Sequence, residues 1–313
     1  MSLPDTAPTA LAERYPTLTL DRAWARYQEV RDRLPSAPRQ GVCRPAASLA
    51  EVAGDYDGFL FDSFGVLNVG ETAIPGAADC LTALRKAGKR FCVLTNAASY
   101  VVETALAKYA RMGLDVRRSE VISSRDVAMA HLDRGVMWGA ICAAEDRLAD
   151  LPGHGFDLLA PGADWARAGG FLFLSSIRWN GDLQDRLVEA LKARPRPVIV
   201  GNPDLVAPRE EGLSLEPGYW AHDIQDRTGI APRFFGKPFP EAFRTALNRM
   251  GPGRYAMIGD TPQTDILGGL AAGIETILVT RHGILAGRPV APMLEECGIL
   301  PDIVMPAIGN CPS

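Results

Sequence analysis

Paired cysteines, clustered histidines and long apolar runs are all missing from this chain, and each absence removes a class of protein. The six cysteines, at 43, 80, 92, 142, 297 and 311, include no Cys-x-x-Cys pair. Neither a metal–thiolate cluster nor a disulfide framework is expected, and buried free thiols are the better reading. The four histidines, at 131, 154, 222 and 282, show no metal-ligand spacing. No apolar stretch approaches the length of a membrane span, and Met1-Ser2-Leu3-Pro4-Asp5 lacks a charged-then-apolar signal pattern. A cytoplasmic location is therefore expected, with no membrane partner. A basic surplus is missing too: the formal net charge is −4, which argues against nonspecific nucleic-acid binding. Ser63, Ser175 and Ser176 have no Gly-x-Ser-x-Gly setting, so a serine hydrolase is unsupported.

What remains is an ordinary globular composition, 47% hydrophobic and 22% charged, in a chain of 313 residues. That length suits one large core or two domains. The first residues, rich in Pro, Thr and Ala, are expected to be loose. Leu20 to Leu34 reads as a charged helix, expected as an extension packed on the surface. From about Asp55 the pattern is strand, helix, strand. Phe59-Leu60-Phe61 is a short buried strand, and Pro75 opens a helix with Ala77, Cys80, Leu81 and Leu84 on one face. Phe91-Cys92-Val93-Leu94 is the next strand, followed by a helix over about Val101 to Met112. The style repeats at Gly139–Cys142, Phe171–Leu174 and Val198–Val200, with a helical stripe at Leu183, Leu187 and Leu191. It resumes after Lys237 with a helix from Pro240 to Met250 and strands at Tyr255–Ile258 and Thr276–Val279. Strands separated by helices of this length predict a parallel α/β sheet whose functional loops lie at the strand carboxyl ends.

Four polar clusters follow apolar strands or open helices: Asp62, Thr95-Asn96, Lys237 within Gly236-Lys237-Pro238, and Gly259-Asp260-Thr261-Pro262-Gln263-Thr264-Asp265. Each alone is weak, since an Asp after a strand is more often a turn or cap residue. Asp260 and Asp265 alone are equally readable as helix-start carboxylates answering the dipole. Together, in this order, they form a specific pattern. The segment Asp57-Gly58-Phe59-Leu60-Phe61-Asp62-Ser63-Phe64-Gly65-Val66-Leu67 resembles the first motif of the haloacid-dehalogenase (HAD) superfamily, usually Asp-x-Asp-Gly-Thr/Val. Phe64 stands where the second Asp is usual.

The insert between Asn96 and Lys237 resembles class IIA (NagD-like) members, in which an α/β cap lies between the second and third motifs. Asn202-Pro203-Asp204, Pro217-Gly218 and Thr264-Asp265-Ile266-Leu267-Gly268-Gly269 resemble that class in order and spacing. The resemblance covers roughly Asp55 to Gly283. It implies a Rossmann-like core with a parallel sheet, assigned to 51–124 and 234–313, and a smaller C2-type α/β cap over 125–233; the N-terminal helical extension over 1–50 and the tail beyond Gly283 fall outside it. It also implies a small phosphorylated metabolite as partner, Mg²⁺ as cofactor and, as caps of this class often dimerise, a homodimer as one option.

By the same resemblance Asp62 is nucleophile and metal ligand, Thr95 binds the phosphoryl group and Lys237 balances its charge. Asp260 ligates the metal, Asp265 orients Lys237 or a metal-bound water, and Phe64 lends the metal its backbone carbonyl. Asn96 is read as a substrate-binding residue, while Asn202 and Asp204 are read either as substrate contacts or as turn residues. The physical logic is that a carboxylate attacks phosphorus only when anion–anion repulsion is suppressed by a cation and a Lys, and hard oxygen ligands suit Mg²⁺.

Phe64 cannot protonate a leaving oxygen or activate water. General acid–base help is typically worth about 10²–10⁴-fold, so a phosphatase with restricted or weakened activity and a slow second step is expected. Two alternatives stay open: a catalytically silent binder of a phosphometabolite, and, further behind, a haloacid-type dehalogenase, whose branch also has an aromatic residue two past the nucleophile. His282 is a candidate replacement proton shuttle. Trp165, Trp179 and Trp220 are read mainly as cap packing residues.

Overall fold

The protein is described here from a computed structural model covering residues 19–209 and 212–309. Gly58–Phe61 is buried at all four positions, as expected for a strand covered on both faces, where apolar runs replace alternation. It lies inside a seven-stranded sheet whose order is Arg44–Pro45, Ile303–Met305, Glu275–Val279, Tyr255–Gly259, Gly58–Phe61, Arg90–Thr95 and Val121–Ser123. Every pairing in it is parallel. The carboxyl ends of the three neighbouring strands ending near Phe61, Thr95 and Gly259 therefore meet along one edge. The helix Ala77–Lys86 buries Ala77, Cys80, Leu81 and Leu84, the expected face, and Pro240–Met250 forms with the expected bounds.

A second, five-stranded parallel sheet has the order Arg233–Phe234, Val198–Val200, Gly170–Phe173, Met137–Ile141 and His154–Asp157. The helices Gly181–Ala193 and Pro217–Thr228 pack with it. Trp165, Trp179 and Trp220 are buried in that layer, with Trp165 stacked on Trp179 at 6.2 Å. Two antiparallel hairpins stand apart from the sheets. Asn68–Val69 pairs with Thr72–Ala73 just after Asp62, and Val206–Arg209 pairs with Gly212–Leu215 just after Asp204.

The sequence reading needs three adjustments. The helix predicted over Leu20 to Leu34 ends at Glu29 and passes into a 3₁₀ turn at Arg31–Arg33. It packs on the body as expected, but more deeply than its charge suggests: Ala23, Trp24, Tyr27 and Val30 are buried with Leu205, Val206, Ile266, Leu267, Leu270 and Leu285. That spacing makes one apolar face, hidden by the charges between. Finally, Arg44–Pro45 belongs to the large sheet, beside Ile303–Met305, so the core draws a strand from each side of the stretch that carries the motifs.

Arg125, fully buried, donates to Asp150 at 2.7 Å, to Asp146 at 3.0 Å and to the Ala98 carbonyl at 3.2 Å. It fastens the loop after Thr95 to the start of the second layer. Five described cysteines are free, four of them buried and Cys43 half-buried. Cys311 and the first eighteen residues lie outside the described region. Among the described residues no helix is long and apolar enough to cross a membrane.

Candidate active site

At the shared strand edge the chain gathers four carboxylates around one ammonium. Asp62 follows the strand Gly58–Phe61, and its amide continues the ladder to the Ile258 carbonyl at 2.8 Å. Asp260 follows Tyr255–Gly259, and Asp265 sits one helical turn further on, fully buried. Lys237 Nζ lies 2.5 Å from Asp62 Oδ1 and 2.7 Å from Asp265 Oδ1, with its side chain 2% exposed. Carboxylate oxygens of Asp62, Asp260 and Asp265 all lie within 4.8 Å of one another.

Asp260 is held by the Ile284 amide, which donates to Oδ2 at 2.8 Å, and by the Thr261 hydroxyl, which donates to Oδ1 at 3.1 Å. Its cradle is glycine-lined. A Cβ on Gly65 would come within 2.7 Å of the Asp260 carboxylate, and one on Gly283 within 1.9 Å, both at a φ of +80°. Any larger residue at either position collides with a site carboxylate and strains the backbone as well. The Thr261 amide donates to Asp265 Oδ2 at 3.0 Å, fixing the carboxylate that grips Lys237.

Crowding sets the electrostatics. Burial pushes the Asp62 carboxyl up to about 7, against the pull of Lys237. Burial likewise raises Asp204 to about 7, although Lys237 and a hydrogen bond from Asn96 favour its ionised form. Asp260 is pushed well above the ordinary carboxylate range by burial, then by Asp265 and Asp62. Burial works to lower Lys237, but Asp265, Asp62 and Asp204 outweigh it and keep the ammonium charged. Ionising all four carboxyls beside one ammonium would leave an excess of negative charge, which a bound cation would offset.

A cavity of about 50 Å³ opens onto this cluster, lined in part by Asp62, Phe64, Asp204, Lys237, Asp260 and Thr264. It has room for roughly three or four waters, close to one phosphoryl group. The other predicted site residues lie outside its lining. Thr95 is buried at the end of its strand, and its hydroxyl accepts from the Ala97 amide at 3.2 Å. Asn96 links three segments: Oδ1 accepts from the Lys237 amide at 2.7 Å, while Nδ2 donates to the Lys237 carbonyl at 2.9 Å and to Asp204 at 2.8 Å. Asn202 Oδ1 accepts from the Asp204 amide at 2.9 Å, and Nδ2 donates to Glu216 at 3.1 Å. These are the bonds of a turn that presents Asp204. His282 is also outside the lining.

Comparison with known proteins gives this geometry a context. The family profile "Haloacid dehalogenase-like hydrolase" matches residues 59–151, and a HAD-hydrolase-like profile matches 234–296. The chain is 30% identical over 254 residues to the ribonucleotide monophosphatase NagD of Escherichia coli K12, covering 80% of this chain and 96% of that protein. It belongs to the HAD-like hydrolases, class IIA. Solved structures share the fold. A p-nitrophenyl phosphatase from Archaeoglobus fulgidus superposes with a TM-score of 0.69 at 24% identity, over 81% of this chain and 97% of that one. A glycerol phosphate phosphatase from Mycobacterium tuberculosis, solved in complex with magnesium, superposes at 0.62 with 23% identity, over 74% of this chain and 69% of that one.

This HAD-like hydrolase has site residues that motif reading missed. Tyr27, Val206, Ala207, Thr261 and Ile284 also line the cavity. Thr261 lies inside a motif already marked. Val206, Ala207 and Ile284 are apolar neighbours of the marked Asn202-Pro203-Asp204 and His282 segments, while Tyr27 shares a buried helix face with Trp24, a pairing that could have marked the extension as a docked helix.

Proposed function

We propose that the protein is a Mg²⁺-dependent phosphatase acting on a small phosphorylated metabolite through an aspartyl-phosphate at Asp62. The observation carrying this reading is the Asp62–Lys237–Asp265 chain of contacts at 2.5 and 2.7 Å beside Asp260. It combines a nucleophile, a charge-balancing ammonium and a site for a cation in one buried cavity.

Asp62, Asp260 and the backbone carbonyl of Phe64 would hold the metal, with Asp265 beside them. The fit rests on the all-oxygen donor set and the shared reach of the three carboxylates. When bound, the ion offsets the charge of the incoming phosphate and draws electron density from phosphorus. Lys237 neutralises further charge on the same group and is kept in place by Asp265. Asp62, freed from full repulsion, attacks phosphorus with one carboxylate oxygen. Asp204 faces the same space from the second layer and bounds the substrate. The cavity has room for a phosphoryl group beside Asp62 and Lys237.

Phe64 lines the cavity at the position from which acid–base help would come. Its side chain carries no transferable proton, so esters with good leaving groups should react best and breakdown of the aspartyl-phosphate should be slow. The testing experiment is turnover of p-nitrophenyl phosphate with Mg²⁺ or EDTA, beside Asp62→Asn. Metal-dependent turnover lost in the variant is the expected result. Saturable phosphate binding with no turnover would instead make the protein a phosphometabolite binder.

A further inference from the structure

The helix Leu20–Glu29 is fastened to both layers and reaches the reaction cavity. Its buried face covers Leu205 and Val206 from the second layer and Ile266, Leu267 and Leu270 from the core. On its outer side Arg26 pairs with Asp226, and Arg33 pairs with the same carboxylate while donating to the His222 carbonyl at 3.2 Å. Tyr27 is thereby held at the seam, 3% exposed, and lines the same 50 Å³ cavity as Asp62 and Phe64.

The phenolic oxygen accepts a hydrogen bond from the Leu205 amide at 3.2 Å. Among the described hydrogen bonds no acceptor takes the phenolic hydrogen, so the group keeps one donor to offer. An unshifted tyrosine is already neutral at physiological pH, and burial with the nearby Asp204 carboxylate raises this one further. A neutral donor at the wall of an anion cavity is a hydrogen-bonding group for a substrate oxygen.

We infer that Tyr27, supplied by the N-terminal extension from outside the hydrolase motifs, hydrogen-bonds the ester oxygen of the substrate at the place where Phe64 offers no donor. This rests on the phosphatase reading above. As the Asp62 oxygen bonds to phosphorus and the phosphorus–ester bond breaks, the electron pair moves onto the ester oxygen. Tyr27 stabilises that growing charge while retaining its proton, and solvent protonates the released alcohol. Such a bond matters most for alkyl esters, whose leaving oxygen develops the most basic charge, and least for aryl esters.

The test compares wild type with Tyr27→Phe, measuring kcat and KM with Mg²⁺ on p-nitrophenyl phosphate and on glycerol phosphate. A hydrogen bond to a charged group is worth about 10-fold or more, so kcat/KM for the alkyl ester should fall at least that far. The aryl ester should lose less than about 3-fold on the same reasoning. A purely structural Tyr27, acting only through the Leu205 amide, would lower both rates together along with the melting temperature. Equal losses, or none, overturn the assignment. Installing 3-fluorotyrosine at position 27 gives the opposite perturbation, because it donates more strongly at nearly the same size. It should raise the alkyl-to-aryl rate ratio, and an unchanged ratio also overturns the assignment. Wild type with no Mg²⁺-dependent turnover of either ester would be a failure of the phosphatase reading itself, and would overturn both.

Discussion

Replacing Asp62 by Asn should stabilise the metal-free protein at pH 8 while removing its chemistry. In the folded chain Asp62 is raised from its ordinary value of 3.8 to about 7, chiefly by burial. Below pH 4 both folded and unfolded chains carry it protonated. Between pH 4 and 7 only the folded chain retains the proton, so this residue's contribution to stability falls as pH rises. Above 7 the folded state bears the full cost of an ionised, buried carboxylate. At 1.36 kcal/mol per pH unit that cost is about 4 kcal/mol, an upper figure because Asp260 and Asp204 share the same space. Asn keeps an oxygen for Lys237 Nζ, so a net gain of about 1–3 kcal/mol is expected at pH 8.

Urea unfolding in EDTA at pH 5, 6, 7 and 8 measures this directly. The gap between variant and wild type should be smallest at pH 5 and widen to a plateau above 7. Saturating Mg²⁺ should then restore wild type by about 2.7 kcal/mol at a hundred times its dissociation constant, with little effect on the variant. A variant less stable than wild type at pH 8, or a gap independent of pH, would refute the picture of an electrostatically strained Asp62 carboxylate.

Three further outcomes follow from other residues. Phe64→Asp puts a carboxyl back beside Asp62 and should raise kcat on alkyl phosphates at least 10-fold, within the roughly 10²–10⁴ that acid–base catalysis supplies, as read by steady-state phosphate release. Arg125→Leu strands the carboxylates of Asp146 and Asp150 and should cost about 3–5 kcal/mol in chemical denaturation. His222 is buried, stacked on Phe234 at 5.0 Å, and held down to about 3, first by burial and then by Arg26 and Arg33. Its stabilising effect is therefore complete above pH 6.5 and lost on acidification. His222→Phe should resist acid better, by about 2–3 kcal/mol at pH 4.5 relative to each protein's stability at pH 7.5.

The cluster of carboxylates around Lys237 was legible because each part is polar punctuation after a run of buried strand. Phe59–Phe61 announced Asp62, and Tyr255–Ile258 announced Asp260. The helix face of Ala77, Cys80, Leu81 and Leu84 was legible because its amphipathic spacing survives without context. Arg44–Pro45 and Ile303–Met305 were not, since two or three residues carry no periodicity and owe their extended form to sheet pairing. Tyr27 was hidden for another reason. Its helix read as charged because Arg22, Arg26 and Glu29 dominate the composition, while the buried stripe between them acquires meaning only from the two layers it covers. Asn202 and Asp204 shared one motif, yet the structure separates them: one side chain holds the turn, and the other faces the cavity.

The most direct test of the central claim is a rapid acid-quench experiment on p-nitrophenyl phosphate with Mg²⁺. Phosphoryl transfer to Asp62 with hindered hydrolysis predicts a burst of p-nitrophenol approaching one equivalent per chain, followed by slow turnover. Peptide mass analysis should then locate the phosphoryl group on Asp62, and both signals should vanish in EDTA and in Asp62→Asn. Turnover that persists in EDTA or in the variant, with no phosphorylated Asp62, would contradict the account.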